Sequence, residues 1–267
     1  GVVGLAPGDA VFGLAGGSMG SHVEVAAQRV VLMPANLTFE GASTTPTVFM
    51  TVDMAFRQAA ALRPGERALV HAAAGGVGLA AIQQVAALGG AVVATGGSAN
   101  KRALVRSQGV EAAVGSRDTL FATDVAQLGG ADVVLNSLTS SGFVAASLAV
   151  LNRGGRFVEI SKRDIFSAAR VAQERPDVSY NLVAVDFLPD SAVQSALCRL
   201  GAQLAGGVLR PLPAVVHSLA AVQAALRQMS QARHVGKIVV RVPPAGAAPA
   251  AHGSVLVTGG LGTLGSL

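Results

Sequence analysis

Residues 66–90, ERALVHAAAGGVGLAAIQQVAALGG, decide the fold. The apolar run Ala68-Leu69-Val70-His71-Ala72 reads as a buried parallel strand. A small-residue turn follows, Ala73-Ala74-Gly75-Gly76-Val77-Gly78, and then a helix with Leu79, Ile82, Val85, Ala86 and Leu88 at helical spacing. The turn has the A-x-G-x-x-G form of a dinucleotide fingerprint: Ala73 at the bend, Gly75 where a pyrophosphate meets the backbone, Gly78 where helix and strand pack closely. Amides at the helix N-terminus, with its positive dipole end, suit a diphosphate. Glycine-rich corners also arise for purely structural reasons, but the strand before this one and the helix after it favour a cofactor.

Working outward, strands are expected at 68–73, 91–95, 112–114, 132–136, 156–160 and 183–186, with helices between most of them. That alternation describes an α/β fold, a Rossmann-type doubly wound parallel sheet. Upstream, Thr38 caps a helix carrying Glu40 in its first turn, and a second helix covers about 48–62, ending before Pro64-Gly65. LAPGDAVFGL turns at Pro7-Gly8-Asp9 into a strand at 10–14, with another at 29–33, as in the tail of an antiparallel barrel that begins in mid-fold. His22 and Glu24 lie nearby without a third ligand and read as surface residues of a strand. Downstream, the helix in SAVQSALCRLGAQLAGG, a strand in LRPLPAVVHS, the helix in AAVQAALRQMSQARH and the strand GKIVVRV follow, the later ones returning to the first domain.

The expected division is therefore 1–45 for the carboxyl part of a barrel-like substrate domain, 46–205 for the nucleotide domain and 206–242 for the return segment. Residues 243–253 are Pro/Ala/Gly-rich and read as a linker. Residues 254–267 show a further strand and glycine turn, expected to begin another dinucleotide domain.

Composition excludes several classes. With 51% hydrophobic and 13% charged residues the chain is globular, not disordered. No apolar run approaches the ~18–20 residues of a membrane span, so no membrane partner is expected. A single cysteine, Cys198, allows neither a disulfide framework nor a cysteine-rich zinc site, so no metal is expected. The net charge of +5 is scattered and aromatics are only 4%, which argues against nucleic acid. A reduced, cytoplasmic setting is the expectation.

In a doubly wound sheet the ligand lies outside the carboxyl ends of the strands. After the second strand come Gly96, Gly97, Ser98, Lys101 and Arg102 rather than the acidic residue of an NAD site. A 2′-phosphate needs donors and positive charge, so NADPH fits better than NADH; otherwise Lys101 and Arg102 simply open a solvated helix. Asn136 and Ser137 end the fourth strand, Ser161-Lys162-Arg163-Asp164 the fifth, and Asp186 the sixth. Lys162 is placed to stabilise a developing enolate or deliver a proton, with Asp186 to orient it. A surface Lys–Asp pair, worth about 0–1 kcal/mol, fits the same residues, and both readings stay open.

The combination LAPGDAVFGL, LRPGERALVHAAAGGVGLAAIQ, ADVVLNSL, LNRGGRFVEISKRDI and MSQARHVGKIVV resembles the enoylreductase domain of modular polyketide and fatty acid synthases, within the medium-chain dehydrogenase/reductase superfamily. VTGGLGTLG resembles the start of a ketoreductase domain. The resemblance implies a GroES-like substrate domain, here incomplete, and reduction of a trans-2-enoyl thioester on acyl carrier protein by NADPH. It also implies dehydratase and ketoreductase neighbours in the same chain. Carried onto this sequence, Ala73, Ala74, Gly75, Gly76, Val77 and Gly78 line the diphosphate, and Ser98, Lys101 and Arg102 face the 2′-phosphate. Asn136 and Ser137 lie by the nicotinamide ribose, and Lys162 and Asp186 assist proton delivery. The chain lacks the zinc ligands of metal-dependent relatives. It also departs from the pattern: an amino-terminal segment that often bears a tyrosine is absent, and Asp53-Met54 replace aromatic or histidine residues. The alternatives are a free-standing zinc-free quinone oxidoreductase and a cofactor-holding domain without catalysis.

Overall fold

The computed structural model describes residues 4–163 and 165–243 and the strand Ser254–Leu256. In chain order, β1 (Val11–Gly13), β2 (Val30–Leu32), α1 (Phe39–Ser43) and α2 (Pro46–Asp53) lead to β3 (Arg67–Val70) and α3 (Gly76–Ala87). Then β4 (Ala91–Gly96), α4 (Ala99–Arg106), β5 (Ala112–Gly115), α5 (Phe121–Gln127), β6 (Ala131–Asn136), α6 (Phe143–Ala149), β7 (Leu151–Glu159), α7 (Ala168–Glu174) and β8 (Ser179–Leu182) alternate. The remainder is α8 (Asp190–Ala205), β9 (Ala214–Ser218), α9 (Val222–Ser230), β10 (Lys237–Val242) and β11 (Ser254–Leu256).

Two compact units result, Thr51–Ala184 and the chain on either side of it. In the first, six strands form one sheet in the order β5-β4-β3-β6-β7-β8, every pairing parallel. This is the dinucleotide-binding order, with the first strand of the sheet beside the fourth. Strands covered on both faces read as continuous apolar runs, and Leu69, Val93, Val134 and Phe157 are fully buried. They pack with Phe121 and Val125 of α5 and Phe143, Val144 and Leu148 of α6, the rings of Phe121 and Phe143 stacking at 5.9 Å. Each such side chain contributes about 1.5–3 kcal/mol on burial.

The six strands expected in the sheet recur, the last of them shifted. The sixth was expected at 183–186, yet β8 pairs Ser179 with Arg156 and Leu182 with Glu159, where β7 itself ends. Val183 adds one last bond to the Glu159 carbonyl, 2.9 Å, and Asp186 falls beyond, in a 3-10 turn. The helix expected over 48–62 begins earlier, as α2, and is wound as a π-helix over Met54–Ala59. The strand expected around His22 and Glu24 does not form, and both residues lie exposed in irregular chain.

In the other unit, β1 and β2 pair antiparallel, β9 and β10 pair parallel, and Thr38 caps α1 by accepting from the Gly41 amide at 3.0 Å. Helix α8 belongs here, not to the nucleotide domain expected to end at 205. Asp190 at its start accepts from Arg29 at 2.8 Å, and the Leu204 carbonyl near its end accepts from Asn36 at 3.1 Å. The strand expected to open a further dinucleotide domain, β11, pairs antiparallel with β10, Val240 opposite Leu256. An unpaired strand and an open edge both leave backbone groups unsatisfied, and this pairing serves both. Beyond Pro243 the linker, and with it the second glycine turn, lies outside the described residues. Among the described residues no helix is long and apolar enough to cross a membrane.

Candidate functional site

The order of the sheet puts β3 next to β6, so a crevice opens where the connections leaving these strands part to opposite sides. One wall is the turn between β3 and α3. Its amide bonds are taken from β4: Ala73 N donates to Thr95 O at 2.9 Å and Ala72 N to Thr95 Oγ1 at 3.2 Å. The chain reverses at Ala72, whose φ of +48° is left-handed, so the bend lies one residue before the Ala73 of the fingerprint. Ala73 and Ala74 are buried, and Gly75, Gly76 and Val77 are half-exposed. Gly75 enters α3 as its N-cap, and the amides of Gly76, Val77 and Gly78 form the first turn, which has no acceptor within the helix. A Cβ on Gly78 would lie 2.4 Å from the Ala73 Cα, so only glycine lets the helix start this close to the strand.

His71 anchors this turn from below. It is 2% exposed, its Nε2 2.8 Å from Ser147 Oγ and its Nδ1 3.2 Å from Thr95 Oγ1. The Ser147 hydroxyl donates to the Phe143 carbonyl at 2.7 Å, so it accepts from His71, and Nδ1 in turn accepts from Thr95. Burial pushes the imidazole down to about 3, which keeps it neutral, as that pattern requires.

At the end of β4, Ser98 caps α4, accepting from the Lys101 amide at 3.3 Å. Arg102 Nη1 donates to the Gly96 carbonyl at 3.1 Å. A third cation, which the sequence reading missed, joins from beyond β5: Arg117 Nε donates to the Gly97 carbonyl at 2.8 Å. Because β5 is the parallel neighbour of β4, their carboxyl ends meet, and the order of the strands is the signal that would have found Arg117. Burial and the Arg117 charge hold the Lys101 ammonium below the ordinary lysine range, as a gathering of like charges that suits an anion.

The other wall is the end of β6. Asn136 is fully buried, and its donors are spent inside: Nδ2 reaches Glu159 Oε2 at 2.7 Å and the Leu138 carbonyl at 3.1 Å, while Oδ1 accepts the Leu138 amide at 3.2 Å. The residue shapes the loop, and the half-exposed Ser137 stands next to it on that loop. Lys162 is exposed after β7 in one unit and Asp186 is exposed in the other. Asp164 lies outside the described residues. Asp53 of α2 pairs with Arg57 one turn on, at 3.1 Å.

A dinucleotide fits this donor set: a first helical turn of amides behind a glycine cradle, and three cations at the ends of adjacent strands. Zinc does not fit. Among the described residues no three His, Cys, Asp or Glu side chains gather to hold a metal ion, and the lone Cys198 is exposed on α8.

Residues 108–240 match the family model described as zinc-binding dehydrogenase. The chain is 43% identical over 268 residues to the spectinabilin polyketide synthase system protein NorB of Streptomyces orinoci. That match covers 99% of this chain but only 12% of NorB. Among solved structures, the CurK enoyl reductase superposes with a TM-score of 0.77 at 38% identity, over 82% of this chain and 67% of that one. The quinone oxidoreductase of Thermus thermophilus, solved also with NADPH, superposes with a TM-score of 0.71 at 32% identity, over 82% of this chain and 71% of its own.

Proposed function

The chain belongs to the polyketide synthase enoyl reductases, oxidoreductases of the medium-chain dehydrogenase/reductase family, and on that premise we propose that it uses NADPH to reduce an enoyl thioester carried on acyl carrier protein. Dehydratase and ketoreductase domains would flank it in a longer chain. Bound NADPH supplies hydride to the β-carbon. The first-turn amides of Gly76, Val77 and Gly78, behind the Ala73-Ala74-Gly75 turn, hold the diphosphate. Ser98, Lys101, Arg102 and Arg117 receive the 2′-phosphate, and the loop of Asn136 and Ser137 meets the nicotinamide ribose. Lys162 balances negative charge on the thioester oxygen or gives a proton to the α-carbon, and Asp186 keeps the supporting role in proton delivery that the resemblance implies.

The observation that carries the cofactor reading is the meeting of Lys101, Arg102 and Arg117 around Gly96 and Gly97, where an NAD site would carry a carboxylate. Fluorescence titration with NADPH and NADH, followed by NADPH oxidation with a crotonyl thioester and with a quinone, tests the proposal. Preference for NADPH by tenfold or more, with turnover of the thioester that is lost in Lys162→Ala, is the expected result. Failure of a folded chain to bind either nucleotide overturns the reading, and turnover of quinone alone moves it to the free-standing oxidoreductases.

A further inference from the structure

Glu159, the last residue of β7, has no part in the chemistry set out so far, yet it is 1% exposed. An unpaired carboxylate at such a place would be costly, and both oxygens are engaged. Oε2 accepts from Asn136 Nδ2 at 2.7 Å, across the ladder from the residue it is paired with. Oε1 accepts from the Ser161 amide at 2.8 Å, the residue before Lys162. Its backbone carbonyl accepts from Val183 as β8 ends. One side chain thus ties the loop after β6 to the loop after β7. Burial raises the carboxyl above the ordinary glutamate range, while the bonds from Asn136 and Ser161 draw it back down. Tyr180 of β8 feels the same charge: burial and Glu159 together push its phenol up to about 12.

We propose that Glu159 is a positioning residue whose two oxygens hold the Asn136–Leu138 loop and the Ser161–Lys162 turn in one mutual arrangement, so that the nicotinamide end of the crevice and the lysine are set together. The consequence for turnover rests on the function proposed above; the coupling itself does not. A carboxylate is required because two donors converge on it from two strands. An amide of the same shape offers one acceptor and turns a donor toward the other N–H.

Amide hydrogen exchange on the intact chain tests this. In Glu159→Gln, exchange at Leu138 and Ser161 should rise tenfold or more, while the interiors of β6 and β7 keep their protection. The double substitution Asn136→Asp with Glu159→Gln reverses donor and acceptor in the 2.7 Å bond and leaves an oxygen for Ser161, while giving up the 3.1 Å bond to the Leu138 carbonyl. It should restore Ser161 protection to within about threefold of the parent, and should fold even where the single variant does not. Where the parent turns over an enoyl thioester, Glu159→Gln should lower kcat by tenfold or more with KM for NADPH within threefold, and the double variant should recover part of kcat. Unchanged exchange at both amides, a rise spread evenly along both strands, or a double variant no better protected than the single one each overturns the proposal. A parent that binds no nucleotide but shows the local, rescuable exchange pattern leaves the coupling standing and removes only its role in catalysis.

Discussion

Gly78 and Ala73 touch through their backbones: a methyl on Gly78 would lie 2.4 Å from the Ala73 Cα and 2.6 Å from its carbonyl oxygen. Neither atom can swing away, because Ala73 N is bonded to the Thr95 carbonyl in the sheet. The close contact is what brings the first-turn amides of α3 to the end of β3. Gly78→Ala should therefore cost about 1–3 kcal/mol of stability as an overpacking change, and displace the helix start. A lower denaturant midpoint together with at least tenfold weaker nucleotide binding is the expected pair of results.

The neighbouring residue Ala72 should respond in the opposite sense. Its left-handed backbone costs an L-residue about 1–2 kcal/mol, while the entropy lost by glycine is about 0.5–1 kcal/mol. Ala72 is exposed, so removing its methyl forfeits no packing. Ala72→Gly should raise stability by up to about 1 kcal/mol. Ala73→Gly should lower it by a similar amount, since a buried methyl is lost without strain to relieve. Urea midpoints of the two variants, measured side by side, check the reversal.

The contrast also marks where the sequence stops being legible. The fingerprint spacing pointed to Ala73 as the bend because motif positions count residues, whereas a φ angle depends on which amide reaches Thr95. Strands β3 to β7 were legible as apolar runs between glycine turns, and the Thr38 cap as a polar residue before a helix. The last strand slid by four residues because Val183-Ala184-Val185 is as apolar as any strand, yet a ladder cannot outlast its partner β7. The π-wound turn of Met54–Ala59 leaves no periodic signature. Arg117 and Glu159 were invisible for one reason. Their importance comes from a neighbouring strand, β4 for the first and β6 for the second, and adjacency in a sheet is not adjacency in sequence.

His71 makes the stability of this unit depend on acid. Its folded value, near 3, lies below the 6.5 of an unfolded histidine, so the unfolded chain binds a proton that the folded chain refuses. Stability from this group is complete above about pH 6.5 and falls as pH drops toward 3, with a limiting slope of about 1.4 kcal/mol per pH unit. His71→Gln removes that proton linkage while keeping a polar side chain among Thr95 and Ser147. Unfolding free energies measured between about pH 7 and pH 4.5 should converge for parent and variant as pH falls, even though the variant is the less stable at pH 7. Parallel curves would mean that His71 takes up its proton in the folded chain as readily as in the unfolded one.

Arg117 should decide the choice between the two nicotinamide nucleotides. Its Nε is fixed on the Gly97 carbonyl, leaving the two outer nitrogens of the guanidinium as donors. A charge-assisted bond to a phosphate is worth about 1.5–3 kcal/mol, so Arg117→Ala should weaken NADPH about 10- to 100-fold and leave NADH within twofold. The same substitution lifts the repulsion that now depresses the Lys101 ammonium, so Lys101 should titrate at higher pH in the variant. In the parent, a bound 2′-phosphate would likewise favour the charged lysine, and NADPH affinity should fall as alkaline pH deprotonates it. Titrations from about pH 7 to pH 10 at fixed salt check both halves. The alkaline limb should move upward in Arg117→Ala, while affinity at pH 7 falls. An unchanged NADPH affinity at pH 7 would remove Arg117 from the phosphate site, whatever happened to the limb.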